Sequence, residues 1–96
     1  MLDWYADWCI SCKVIEREVF AAPEIAPRLS GYRLVRFDIT ESNAEQRALL
    51  DRHKLFGPPA VLFFDRSGQE MSDIRVVGEI DASQFAKRLD GAEASL

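Results

Sequence analysis

The stretch "DWYADWCISCK", Asp3 to Lys13, holds both cysteines of the 96-residue chain, three positions apart. Ahead of them, Leu2 to Ala6 is short, apolar and aromatic, as a central β-strand is. Behind them, Val14, Ile15, Val19 and Phe20 recur at the three-to-four-residue spacing of an amphipathic helix. The pair therefore stands at a strand-to-helix junction, with Cys9 at the amino end of the helix and Cys12 one turn further in. In α/β proteins this carboxyl end of a strand is where reactive groups are placed. A hydrophobic content of 48% with 29% charged residues describes an ordinary globular domain. A chain of this length buries enough surface to fold without stapling, and two cysteines could close only one local link.

The rest of the chain alternates strand and helix signals. Pro23 fits the first turn of a short helical piece that Pro27 would interrupt, which predicts a break within Ala21 to Pro27. "YRLVRFDI", Tyr32 to Ile39, reads as a second strand. Ser42 with Glu45 forms a capping box for a helix that Gly57 closes. "AVLFFD", Ala60 to Asp65, is a further strand, "RSGQ" a turn, and "IRVVGEI" its antiparallel partner. Asp81 caps a last helix, "ASQFAKRL", that ends at Gly91. The order β-α-β-α-β-β-α predicts one three-layer α/β domain over residues 1–91, with a flexible tail at 92–96. A right-handed crossover makes the first two strands parallel.

A net charge of −4, with 12 basic residues scattered among 16 acidic ones, argues against nucleic acid or an anionic lipid surface as partner. A protein or a small thiol fits better, and the domain is expected to be monomeric. No apolar run approaches the roughly 18 residues of a transmembrane helix, and no signal peptide opens the chain. Because "MLDWYA" already reads as a strand, Met1 is expected to be an internal methionine of a longer protein.

Zinc at Cys9 and Cys12 would need about four ligands, and His53 is the only other soft one. Covalent haem attachment needs a histidine where Lys13 stands. Thiol–disulfide exchange and an inert buried pair remain. Exchange is favoured physically, because unpaired N–H groups at a helix start stabilise a thiolate on Cys9, and Cys12 is placed to resolve the mixed disulfide. Asp3 lies in an otherwise apolar strand, on the same side as Tyr5. It is either a buried carboxyl with a raised pKa, able to exchange a proton with Cys12, or an exposed group at a frayed chain end. Glu16 falls one turn after Cys12 and is either a simple solvated glutamate or a second acid restraining Cys9. Pro59, before a central-looking strand, is a candidate cis proline, although a Pro-Pro pair by itself favours trans.

These residues resemble the thioredoxin superfamily: a strand, Trp8-Cys9-x-x-Cys12-Lys13 opening a helix, and Gly57-x-Pro59 leading into a hairpin. "DWYADWCISCK", "EREVF" and "GPPAVLFFD" together resemble the C-terminal periplasmic domains of the DsbD family of thiol:disulfide interchange proteins. The resemblance implies a thioredoxin-like sandwich with a four-stranded mixed sheet, lacking the first strand and helix of thioredoxin. It implies that Cys9 is the nucleophile, Cys12 the resolving thiol, Pro59 a cis proline facing them, and Asp3 and Glu16 acids that modulate their pKa values. It further implies a protein-disulfide reductase domain relaying electrons from a membrane-embedded domain of the same parent protein to its N-terminal domain. That role belongs to the periplasm, serves disulfide reduction and cytochrome c maturation, and needs no cofactor or metal beyond the Cys9–Cys12 pair.

Two features depart from the thioredoxin pattern. Ile10-Ser11 replaces Gly-Pro between the cysteines, so a redox potential cannot be carried over. Pro58 has no N–H to pair with a substrate strand, so docking should rest on its carbonyl and on apolar contacts from Trp8, Ile10 and Pro58. A free-standing periplasmic reductase and a docking module with a structural disulfide are the alternative functions.

Overall fold

The computed structural model describes residues 1–94. Strand β1 (Leu2–Tyr5) lies inside a four-stranded sheet of order β2-β1-β3-β4, where β2 is Val35–Asp38, β3 is Ala60–Leu62 and β4 is Val76–Val77. β1 runs parallel to β2 and antiparallel to β3, and β3 pairs antiparallel with β4. The mixed sheet, the parallel first pair and the hairpin are those the sequence predicts. The helices are α1 (Ile10–Ile15), α2 (Ala26–Leu29), α3 (Ala44–Arg52) and α4 (Ala82–Ala94), with a π-helical turn at Glu16–Phe20 and a 3-10 turn at Ser72–Ile74.

Alternation along the strands sorts side chains into two layers. Trp4, Ala60 and Leu62 are buried in a cluster with Leu50 and Leu55, which puts α3 on one face. Val61, Phe63 and Val76 are buried with Ile15, Val19, Phe85 and Leu89, which puts α1 and α4 on the other. Asp3 pairs with Arg36 on one side and Val61 on the other, so it points toward the α1 and α4 layer. Phe85 anchors that layer, its ring 5.5 Å from Phe20 and 6.0 Å from Phe63.

Element ends depart from the sequence reading for identifiable reasons. The cap of α3 is Asn43, not Ser42: Asn43 Oδ1 accepts from the Gln46 N–H (2.9 Å), and Gln46 reaches back to the Asn43 N–H (3.4 Å). Ser42 precedes that cap with φ +51°. The helix stops at Arg52 and the chain leaves it through Lys54 at φ +58°, three residues before Gly57. Pro27 sits in the first turn of α2, where its missing N–H breaks no helical bond, rather than interrupting the segment. β2 begins at Val35 rather than Tyr32. Asp81 does cap α4, accepting from the Gln84 N–H at 2.7 Å, but the helix runs past Gly91 to Ala94 and buries Ala92. Of the proposed tail 92–96, only residues 95 and 96 lie outside the described residues.

Candidate active site

The end of β1 delivers Ala6, Asp7 and Trp8 into a turn that positions Cys9, whose N–H donates to the Ala6 carbonyl at 3.0 Å. Cys9 is the N-cap of α1, with extended backbone, and its Sγ accepts a hydrogen bond from the Cys12 N–H at 3.1 Å. Cys9 and Cys12 are joined in a disulfide, their Cα atoms 5.3 Å apart. A hydrogen bond of this kind to a thiolate favours the charged form. Cys12 is 4% exposed and its Sγ lies 3.8 Å from the Trp4 carbonyl oxygen, an acceptor for its S–H once reduced. Cys9 stands at the helix start as the sequence predicts, and is itself only 6% exposed. Its neighbours are more open: Trp8 is 56% and Ile10 79% exposed.

Trp8 is held in place from its backbone neighbourhood. Its Nε1–H donates to the Thr40 carbonyl (3.1 Å), and the Asp7 N–H donates to Thr40 Oγ1 (2.9 Å). Thr40 is fixed in turn by Asp38, which accepts from both its N–H and its hydroxyl. Across from Trp8, the Pro58–Pro59 bond is cis. The Pro59 carbonyl accepts from the Gly78 N–H at 3.0 Å, where Gly78 takes φ +85°. Trp8, Phe56, Pro58, Pro59 and Val77 line a shallow groove of about 380 Å³. Phe56 is fully exposed and Val77 largely so, which makes the groove an apolar strip that includes Trp8, the residue before Cys9. Larger hollows elsewhere, of about 530 and 590 Å³, include neither Trp8 nor the cis proline in their walls.

Asp3 is partly buried on the α1 side of β1. Burial raises its pKa from 3.8 to about 6, and the nearby Arg36 guanidinium opposes that rise. The exposed, frayed-end alternative for Asp3 is therefore not what the fold shows. Glu16 forms an ion pair with Arg36, so it is not merely a solvated helix glutamate. Arg36 also lies 4.0 Å above the Tyr5 ring, and the Tyr5 hydroxyl donates to Asp7 at 3.0 Å. Thr40, Phe56, Val77 and Arg36 escape sequence reading because single letters in a strand or a loop do not announce which neighbours the fold supplies. The nearest signal is the placement of Phe56 immediately before "GPP".

A thioredoxin-like family profile matches residues 1–66. The chain is 67% identical over 89 residues to thiol:disulfide interchange protein DsbD 1 of Pseudomonas aeruginosa, covering 93% of this chain and 15% of that protein. It superimposes on the crystal structure of the Neisseria meningitidis DsbD C-terminal domain in the oxidised form with a TM-score of 0.81 and 33% identity, covering 95% of this chain and 77% of that one. The chain belongs to the thioredoxin-like family of DsbD C-terminal domains. The fold extends to more distant members: a thioredoxin from Thermus thermophilus, 19% identical, matches with a TM-score of 0.75. The chain spans 15% of the length of its DsbD relatives in Pseudomonas aeruginosa and Pseudomonas fluorescens. No helix among the described residues is long and apolar enough to cross a membrane. Nor does any group of three His, Cys, Asp or Glu side chains among them come together as a metal site.

Proposed function

We propose that this domain is a thiol:disulfide oxidoreductase relaying electron pairs by dithiol/disulfide exchange. Its donor is a membrane-embedded domain of the same parent protein and its acceptor a periplasmic partner domain, the monomeric relay carrying the electrons on its own two sulfurs. The observation that carries the reading is the Cys9–Cys12 disulfide at the cap of α1 in a DsbD-type fold, directly after Trp8 of an exposed apolar groove.

In the reduced domain the Cys9 thiolate attacks one sulfur of the partner's disulfide. A Cys9–partner bond forms, the partner's S–S bond breaks, and its second sulfur leaves as a thiolate that takes up a proton. Cys12 then loses its proton and attacks Cys9 Sγ, which releases the partner's remaining sulfur as a thiolate, itself protonated from the site. Two electrons have passed to the partner and the Cys9–Cys12 disulfide is restored. An incoming dithiol donor reverses the sequence. Asp3, ionised in most molecules at neutral pH with a pKa of about 6, is a suitable acceptor for the Cys12 proton. Trp8, Ile10, Pro58 and Pro59, with Phe56 added by the fold, are the contacts offered to a partner strand. Among the described residues no backbone hydrogen bond uses the Pro58 carbonyl, which suits it to accept one from a partner.

The test is a Cys12→Ser trap. Exchange predicts that Cys9 retains the partner domain as a mixed disulfide released only by reductant, and that Phe56→Ala in the same background slows its formation about fivefold, the loss of one aromatic anchor. Failure of the purified partner domain to form any such adduct contradicts the reading.

A further inference from the structure

Arg36 occupies the second position of β2, opposite Asp3 in the parallel register. Its guanidinium gathers groups from three elements. It is ion-paired with Glu16 of the π-helical turn. It stacks over the Tyr5 ring of β1, 4.0 Å from the centroid. Its charge acts on the Asp3 carboxyl against the effect of burial. Asp38 of its own strand also feels that charge, and Asp7, bonded by the Tyr5 hydroxyl, completes the charged surroundings.

A half-exposed ion pair contributes little to stability, so fold maintenance alone is a weak account of Arg36. Its position has another consequence. Glu16 lies one turn beyond Cys12, at the start of a π-helical turn whose Ala21 N–H donates to the Glu16 carbonyl at 3.2 Å. Holding the Glu16 carboxylate against β2 compensates its negative charge. It also fixes the side of the helix on which that charge sits. The guanidinium lies over the Tyr5 ring and reaches the Glu16 carboxylate through one of its terminal nitrogens, a combination that a compact ammonium copies less well.

We infer that Arg36 is a positioning residue for the exchange reaction, clamping Glu16 and setting how much negative charge Asp3 and Glu16 present to the Cys9–Cys12 pair. The inference rests on the exchange reading above. Removing a positive charge makes every nearby acid hold its proton more tightly. Loss of Arg36 therefore keeps both Asp3 and Cys9 protonated to higher pH, and slows thiolate chemistry at neutral pH without touching either sulfur.

The test titrates the reduced protein, following the Asp3 carboxyl by NMR and Cys9 alkylation by mass. Arg36→Gln should move both midpoints upward by ~0.5 pH unit, about a threefold loss of Cys9 thiolate at a fixed pH below its midpoint. Arg36→Lys should recover most of the shift, since charge is retained. Arg36→Gln profiles that overlay the wild type overturn the inference, whatever happens to the melting temperature. Should Arg36→Gln fail to fold, Glu16→Gln probes the same cluster: freeing Arg36 should lower the Asp3 midpoint, and an unmoved midpoint overturns the inference equally. Failure of the Cys12→Ser protein to form a mixed disulfide with the partner domain would instead count against the exchange reading, while the Asp3 shifts would still report on Arg36.

Discussion

At Asp3, burial among apolar neighbours outweighs the pull of Arg36 and raises the carboxyl pKa from 3.8 to about 6. The folded state therefore binds this proton more tightly than the unfolded chain does. Below pH 3.8 the group is protonated in both states and costs nothing. As pH rises from 3.8 to about 6 the unfolded chain ionises first and stability falls; above about 6 the full penalty remains. Roughly two pKa units correspond to at most about 3 kcal/mol, less because the carboxyl is only partly buried. Asp3→Asn should thus be more stable than wild type in urea melts at neutral pH, with the advantage vanishing near pH 4. An advantage of equal size at both pH values would assign it to packing instead. The residue was legible as an oddity, a charge inside "LDWYA", and period-two alternation placed it on the same side as Tyr5. Arg36 was not legible in the same way. Its role depends on the register of β2 against β1, which puts it opposite Asp3 rather than one residue along.

The α3 cap shows the same limit for elements. Ser42-x-x-Glu45 and Asn43-x-x-Gln46 are both capping boxes by composition, one residue apart, and nothing local decides between them. The approach from Ile39 and Thr40 decides, because Thr40 is tied to Asp38 and Asp7 and the chain must turn at Ser42 before the helix can start. Asn43→Ala should accordingly cost about 1 kcal/mol of unfolding free energy, the usual value of a lost N-cap. Ser42→Gly should be close to neutral, since its hydroxyl makes only a 3.4 Å contact to the Ile39 carbonyl and its φ of +51° suits glycine. The reverse order in chemical denaturation would restore the sequence assignment. At α4, Gly91 resembled a terminator, but its close packing at Ile74 marks it as an interior helix position: a Cβ there would stand 3.0 Å from Ile74 Cγ2. The π-helical turn at Glu16–Phe20 left no trace in the hydrophobic spacing, since Ile15 and Val19 are buried as a regular helix would have them.

Across the whole molecule, the element order, the parallel first pair, the hairpin and the strand-to-helix junction follow from pattern, whereas the strand order that puts β1 between β2 and β3 is seen only in the fold. The exposed apolar strip is assembled from distant pieces. Trp8 from the β1 turn, Phe56 and Pro58 from the loop after α3, and Val77 from β4 meet only once the sheet has formed. Sequence could name Trp8 and Pro59 through their resemblance to thioredoxin, and Ile10 and Pro58 as departures from it, whereas Phe56 looked like one more apolar residue after a helix. On the proposed reading, that strip and the capped disulfide give the domain a surface on which another chain exchanges thiols. Its reactivity is best tested by equilibrating the Cys9–Cys12 pair against a graded thiol buffer. Exchange requires a reduction potential above about −300 mV, with the disulfide readily reduced by thioredoxin; a potential below that, and resistance to thioredoxin, would mark a structural bond and contradict the relay.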